Sequence, residues 1–175
     1  MTDDRARRAK KLFQEGFSCS QAVFTPYAVE AGLPPEMALK LSQVLGGGMS
    51  HLGLTCGAVT GALLAISLNF GRTQAEDKAA KELTYELAQE FCRRFSQKYG
   101  SINCTDLIGC NLKTALGLAL ASEKNLFEKY CTGFVTGACS LLDEILKEGQ
   151  RKQKAKGPGK DVKIKNQERK NRKKQ

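Results

Sequence analysis

Helix start and stop signals recur along most of the chain, and this pattern constrains the fold more than any other feature. Between the signals apolar residues follow a helical period, and almost no segment alternates as a half-buried strand does. The pattern predicts an all-α fold, a single compact bundle of about five or six helices. The predicted helical segments are 2–16, 18–32, 35–46, 56–70, 73–100, a short turn from residue 104 and a last helix from residue 122.

Two capping boxes predict where helices begin. Ser18 is followed by Gln21, and Thr73 is followed by Glu76, each pair with the spacing at which side chain and backbone satisfy one another. Pro26 lies inside the helix that starts after Ser18, so a kink is expected there.

The net charge of +10 belongs to the end of the chain. Residues 1–149 carry 16 Lys or Arg and 16 Asp or Glu, whereas residues 150–175 carry 12 basic residues against two acidic ones. We therefore expect a helical cysteine-containing domain over 1–149 and a basic, disordered tail over 150–175. Such a tail can attach to nucleic acid or to an anionic membrane surface, or it can simply aid solubility.

The segment 41–71 contains no charged residue and is long enough to cross a bilayer. Glycines, hydroxyl residues and an asparagine interrupt it, so a core helix is expected rather than a transmembrane segment. The first residues mix acidic and basic side chains with no apolar run after them, which does not match a secretory signal. We expect a cytoplasmic protein whose seven cysteines are thiols, metal ligands or catalytic groups.

Three cysteines directly follow a candidate N-cap residue. At a helix N-terminus the free backbone N–H groups and the helix dipole favour negative charge, so the pKa of such a thiol is expected to fall. Cys131 differs, because it lies within an apolar stripe and can project into the core. The three cap-then-cysteine pairs are Ser18-Cys19, Thr55-Cys56 and Asn103-Cys104.

The other candidate residues have ordinary structural roles as the main alternative to a functional one. Cys92, Cys110 and Cys139 are expected to act as small buried apolar residues. His51, the only histidine, can join a metal site or move protons, although a loop histidine is more often merely exposed. The glycine run 46–48 lacks the frame of a phosphate-binding loop and is expected to be a flexible connector or a tight turn.

A short internal repeat links two of the predicted helices. Residues 57–62 and 133–138 share Gly, Val, Thr, Gly and Ala at matching positions, so each carries two glycines four residues apart. Small residues at this spacing let another backbone approach closely. If the two helices cross at these faces, Cys56 comes near Cys131; the alternative is coincidence between two helices of similar composition.

The four cysteines lie in short motifs that follow one another along the chain. These are Phe17-Ser18-Cys19-Ser20-Gln21-Ala22, then Cys56-Gly57-Ala58-Val59-Thr60-Gly61, then Gly100-Ser101-Ile102-Asn103-Cys104 with Asp106-Leu107-Ile108-Gly109, and then Cys131. Their order and local sequences resemble the C_GCAxxG_C_C family of redox-active proteins. The resemblance covers about residues 8–148 and places the family's four characteristic cysteines on Cys19, Cys56, Cys104 and Cys131. The resemblance implies a redox role linked with oxidoreductases or transporters, and some relatives are thought to hold an iron–sulfur cluster.

Three functions follow as hypotheses. The four cysteines can ligate an iron–sulfur cluster for electron transfer, with an oxidoreductase or electron-transfer protein as partner. They can instead act as redox thiols that cycle between thiols and disulfides without a metal, while zinc ligation would be structural and redox-silent. The third hypothesis is a helical adaptor whose cysteines only pack and whose basic tail binds.

Overall fold

The computed structural model describes residues 2–155, with side chains from residue 4 onward. Within this range the chain forms eight α-helices and no β-strand, which confirms the all-α prediction. The helices are α1 (Thr2–Gln14), α2 (Cys19–Glu30), α3 (Pro35–Ser42), α4 (Gly57–Phe70), α5 (Lys78–Tyr99), α6 (Cys104–Ile108), α7 (Ala115–Glu123) and α8 (Thr132–Ala155).

The helix count exceeds the predicted five or six because the chain breaks before the last helix. Thr114 caps α7 by accepting a hydrogen bond from the Gly117 N–H. Asn125 then adopts a positive φ of 50°, a conformation that ends a right-handed helix. A π-helical turn over Phe127–Cys131 leads into α8, so the single helix predicted from residue 122 is wrong.

The two predicted capping boxes have different outcomes. Ser18 and Gln21 form a reciprocal box at the start of α2, as predicted. The box at Thr73 and Glu76 is wrong, because α5 begins only at Lys78 and the Asp77 carboxylate accepts from the Ala80 N–H. Asp77 therefore caps α5 in place of Thr73, because its short acidic side chain can accept from a free N–H group of the first helical turn.

α2 is the central helix of the bundle. It packs against α1, α3, α4 and α8, and its residues from Cys19 to Ala28 are all buried. A helix that is apolar on every side is one that its neighbours enclose. α2 continues through Pro26 to Glu30, and its last two residues, Val29 and Glu30, are exposed.

The long helices α5 and α8 form the second part of the core. Phe91 and Phe95 stack along α5, and Tyr99 meets Phe134 of α8 edge to face with ring centroids 5.1 Å apart. α8 continues beyond Gly149, the predicted end of the helical domain, as far as Ala155. The rest of the predicted tail, 156–175, lies outside the described residues.

No helix within residues 2–155 combines the length and the apolar character that a bilayer span needs.

Candidate functional site

The fold brings together the four cysteines that the sequence singles out. The side chains of Cys19 and Cys131 share a hydrogen bond, and Cys56 and Cys104 lie close enough for charge interactions with both. All four are buried, with exposed fractions of 9%, 3%, 5% and 3% for Cys19, Cys56, Cys104 and Cys131. We call Cys19, Cys56, Cys104 and Cys131 the cysteine centre.

Two loop segments hold Cys56 beside Cys104. Thr55 and Asn103 form an isolated antiparallel β-bridge. The Cys56 N–H donates to the Ile102 carbonyl at 2.8 Å, and the Cys104 N–H donates to the Leu54 carbonyl at 2.7 Å. Each cysteine then leads directly into a helix, Cys56 into α4 and Cys104 as the first residue of α6.

Glycines on α4 allow its close approach to α2. A Cβ atom on Gly57 would lie 2.9 Å from the Cβ of Cys19, and one on Gly61 would lie 2.7 Å from the Ser20 carbonyl oxygen. Both distances are shorter than a real side chain tolerates. The two glycines therefore let the first turn of α2, with Cys19, sit against the start of α4.

The two glycine-repeat helices, α4 and α8, pack against each other as predicted, but not through their glycine faces. The α4 face packs on α2, whereas Gly137 of α8 packs against the Tyr99 ring of α5. The Tyr99 hydroxyl donates to the Gly133 carbonyl at 3.3 Å. Cys56 and Cys131 nevertheless lie near each other, as expected. Burial is the main cause of the raised pKa of Cys56, and the charge interaction with the nearby Cys131 thiol adds to it.

A left-handed turn packs against the centre. Five consecutive residues, 47–51, have φ between 56° and 67°, and the Ser50 N–H donates to the Gly46 carbonyl at 2.8 Å. A Cβ on Gly48 would lie 2.6 Å from the Cβ of Cys104. The glycine run is therefore a tight turn, and its backbone lies directly on the cysteine centre.

The left-handed conformation of Met49, Ser50 and His51 is a feature that sequence reasoning missed. Residues with a side chain pay an energetic cost for this conformation, and such strain concentrates at functional sites. The only sequence signal is the preceding glycine run. A second irregularity, the π-helical turn that ends at Cys131, is also of a kind found often at functional sites.

The predicted fall in pKa at the helix N-termini is wrong for three thiols. The Cys131 hydrogen bond and burial raise the pKa of Cys19 well above its usual value. Burial raises the pKa of Cys56 to about 11 and that of Cys104 to about 12. Backbone N–H groups of Ala58 and Val59 oppose the rise of the Cys56 pKa, but the loss of solvation outweighs them.

Cys131 is the exception within the centre. The hydrogen bond from Cys19 lowers the pKa of Cys131 below its usual value, and burial only partly opposes this effect. Cys131 is thus the thiol of the centre that most readily becomes a thiolate, with Cys19 as the donor that stabilises it. The cap-then-cysteine pattern predicts this property at Cys19, Cys56 and Cys104 instead.

Two of the three predicted N-caps also differ from expectation. Cys56 itself occupies the N-cap position of α4, so Thr55 is not the cap. Asn103 occupies the N-cap position of α6, as predicted, but its side chain makes no capping hydrogen bond and instead donates to the Asp106 carboxylate at 3.3 Å. Ser101 donates to the same carboxylate at 2.8 Å, which shapes the loop that presents Cys104.

The other three cysteines have surroundings of their own. Cys110 donates from Sγ to the Gly117 carbonyl at 3.1 Å, and Cys92 is half-buried on α5. Cys139 is fully buried, and its carbonyl accepts from the Tyr27 hydroxyl at 2.9 Å. His51 is exposed, and its ring lies against Gly47.

The four cysteines of the centre are the kind of ligand that holds an iron–sulfur cluster, because such clusters are bound by cysteine thiolates. The start of α2, α4 and α6 all lie at the centre, and helix N-termini favour the negative charge of a thiolate-bound cluster. Within residues 2–155, however, no group of three or more His, Cys, Asp or Glu side chains has the arrangement of a metal site.

A comparison with known proteins identifies the family of the chain. The sequence model of the family described as "Putative redox-active protein (C_GCAxxG_C_C)" matches residues 17–145, a range that contains the whole cysteine centre. The chain belongs to this family. The match to the C_GCAxxG_C_C family covers most of the chain, from the start of the α2 capping box to the middle of α8. No curated protein and no solved structure matches the chain.

Proposed function

We propose that the cysteine centre is the redox-active group of this chain, and that Cys19 and Cys131 cycle between two thiols and a disulfide. The observation that carries the proposal is the hydrogen bond between the two side chains, with the pKa of Cys131 lowered and that of Cys19 raised. One thiol is thereby prepared to attack as a thiolate, and the other lies beside it to complete the exchange.

The reaction balances as a two-electron exchange with the disulfide of an oxidising partner. The Cys131 thiolate attacks one sulfur of that disulfide, and the other sulfur leaves as a thiolate that takes up a proton. Cys19 then loses its proton and attacks Cys131, which forms the Cys19–Cys131 disulfide and releases the partner as a dithiol. Because both cysteines are buried, the partner reaches them through a local opening of the surrounding segments.

Cys56 and Cys104 form a second pair of thiols next to the first. Their raised pKa values keep them protonated near neutral pH. In the reverse direction a reduced dithiol partner returns two electrons to the Cys19–Cys131 disulfide. A cytoplasmic location, which the cysteine content favours, would keep the resting protein in its thiol form.

The second candidate is an iron–sulfur cluster held by Cys19, Cys56, Cys104 and Cys131. Four thiols converge, and three of them stand at helix N-termini, which supports this candidate. A cluster would supply one-electron transfer to an oxidoreductase or electron-transfer protein. The chain would contribute the four thiolates, a buried setting and the backbone N–H groups near Cys56.

Purification without air separates the two candidates. For the thiol couple we expect a colourless protein without iron or sulfide, which loses two thiols on mild oxidation, with Cys19 and Cys131 linked in the peptide map. For the cluster we expect iron, sulfide and visible absorption that bleaches on reduction. Replacement of either Cys19 or Cys131 by serine should abolish the pairwise loss of thiols. The matched control, serine at Cys92, Cys110 and Cys139 together, should retain it.

An adaptor role through the basic tail is the alternative that needs no redox chemistry. α8 continues to Ala155, so a truncation should begin at residue 156 to leave the helix intact. If the tail binds nucleic acid or anionic lipid, its removal abolishes that binding and leaves thiol oxidation unchanged. Binding that persists at moderate salt without the tail contradicts this alternative.

A further inference from the structure

A cavity of about 520 Å³ lies between the segment that precedes α2 and the π-helical turn that leads into α8. Phe17 of the first segment is two residues before Cys19, and Thr132 of the second directly follows Cys131. The cavity is therefore built from the segments that carry both thiols of the proposed pair. Its lining side chains include those of Phe13, Gln14, Phe17, Phe127, Glu128 and Thr132.

The end of α1 forms the first wall of the cavity. Gly16 has a φ of 94°, its N–H donates to the Phe13 carbonyl at 3.1 Å, and the Phe17 N–H donates to the Leu12 carbonyl at 3.2 Å. These two bonds are the Schellman pattern, in which a left-handed glycine ends the helix and the chain folds back on its last turn. The turn therefore brings the backbone of Phe17 beside the end of α1, where Phe13 lies.

The π-helical turn forms the second wall and contributes Phe127 and Glu128. Phe13 and Phe127 are partly buried and pack against the core, so the core holds these two side chains while part of each remains exposed in the cavity. Phe17 is also partly buried. Three aromatic side chains from two separate segments therefore line one space.

Glu128 is the only charged side chain among the described residues that line the cavity. It is exposed, and it forms no ion pair within the described part of the chain. The next residue, Lys129, lies over the Tyr130 ring instead, with its Nζ 5.1 Å from the ring centroid. The described lining thus combines three aromatic rings with one unpaired carboxylate and no cationic side chain.

This combination of side chains favours one class of ligand. The face of an aromatic ring carries partial negative charge and attracts a cation that lies over it. A primary ammonium group brings three N–H donors and a tightly held water shell, and phenylalanine rings have no lone pair to accept those donors. A quaternary ammonium group has no N–H, so aromatic rings and a single carboxylate suit it better.

We propose that this cavity binds a small quaternary ammonium compound. Its methylated nitrogen lies among Phe13, Phe17 and Phe127, and the Glu128 carboxylate stands near its positive charge. The cavity is larger than a trimethylammonium group, so it leaves room for the substituent that such a compound carries. Binding uses neither thiol, so the site does not depend on the redox couple.

Calorimetric titration of the full chain with choline tests the proposal. The matched probes are 3,3-dimethylbutan-1-ol, the uncharged carbon analogue of choline, and ethanolamine, which has a primary ammonium group. We expect choline to bind, and each of the other two to bind at least about tenfold more weakly, because one lacks the charge and the other keeps its water shell. Absence of choline binding, or equal binding of either matched probe, overturns the proposal.

Two variants locate the site. Phe17→Leu removes one ring and keeps an apolar side chain, so the affinity for choline should fall about threefold to tenfold. Glu128→Gln removes the charge at an exposed position, where the fold is not at risk, and should lower that affinity about threefold. Full affinity in both variants would mean that choline binds elsewhere, which also overturns the proposal.

Two further variants serve as controls. Glu123→Gln changes another exposed acidic residue that does not line the cavity, and it should leave the affinity for choline unchanged. Cys19→Ser should also bind choline as the native chain does, because the ligand does not contact the thiols. A failure of the thiol couple is thereby distinguished from a failure of the binding site.

Discussion

Cys131 and Cys139 lie about two helical turns apart on one side of the bundle, and both are buried, with exposed fractions of 3% and 0%. Their partners on α2 differ. Cys131 faces the Cys19 thiol, which lowers its pKa, whereas Cys139 lies beside Tyr27 and burial raises its pKa to about 12. Burial alone therefore does not decide whether a thiol of this chain is reactive; the group that faces it does.

The two ends of the α2–α8 contact also differ in the kind of residue that makes the contacts. Around the cysteine centre, glycines bring backbone against backbone, as at Gly48 and Gly57. At the other end, long polar side chains meet, with Arg5 joined to Asp143 and placed over the Tyr27 ring at 4.9 Å. The first end should therefore be sensitive to any added atom, and the second to the loss of a single polar group.

The largest effect is expected from serine substitution at Cys131, compared with the same substitution at Cys139. Cys131→Ser should abolish the oxidative loss of paired thiols, because the attacking thiolate is gone. Cys139→Ser should leave that loss intact. Thiol counting by mass spectrometry after alkylation, with and without a mild disulfide oxidant, measures both. An equal response of the two variants would contradict the comparison.

The pH dependence of alkylation sharpens the same contrast. A thiol reacts as its thiolate, and thiolate forms as the pH rises through the pKa. The hydrogen bond from Cys19 lowers the pKa of Cys131, so its alkylation should level off at a lower pH than that of an ordinary cysteine. The rate at Cys139 should still rise toward pH 12, the neighbourhood of its own pKa. Site-resolved alkylation at pH 8 should favour Cys131 by about tenfold or more; in denaturant the two rates should converge.

Gly48→Ala tests the close backbone packing at the centre. The new Cβ would meet Cys104 and the Gly53 backbone, and the φ of 67° adds strain. We expect a loss of about 2–4 kcal/mol in the free energy of unfolding. Gly109→Ala is the matched control, because its φ is 65° but its Cβ would enter open space. Its cost should be only about 1 kcal/mol, measured by urea denaturation of both variants.

Tyr27→Phe should have the smallest effect. It removes the hydroxyl that donates to the Cys139 carbonyl and keeps the ring against Arg5. The expected cost is about 1 kcal/mol, the ordinary net value of one hydrogen bond. Thiol oxidation should not change. A redox effect of this variant would mean that the two ends are coupled along α2.

Much of the local structure was predictable because its causes are local. The Ser18 capping box and the all-α character follow from signals a few residues long, and both are confirmed. The family assignment is confirmed for the same reason, since its motifs are short stretches around each cysteine. The later helix boundaries were less predictable, because Asp77 and Asn125 outweigh plausible signals nearby.

The electrostatics of the centre could not be predicted from position alone. A cysteine at a helix N-terminus is favoured as a thiolate only while its loss of solvation is smaller than the gain from the helix. The burial of Cys56 and Cys104 reverses the sign of the expected shift. Which thiol faces which depends on contacts between α2 and residues more than a hundred positions away, as between Cys19 and Cys131.

By itself the sequence determined the all-α character, the capping box of α2 and the family to which the chain belongs, because these depend on residues close together in the chain. Only the tertiary structure decided that Cys131 carries the lowered pKa, that residues 47–51 wind left-handed, and that Asp143 keeps a buried oxygen free. Solvation and hydrogen bonding depend on what surrounds a group in three dimensions, and packing between distant segments sets that environment.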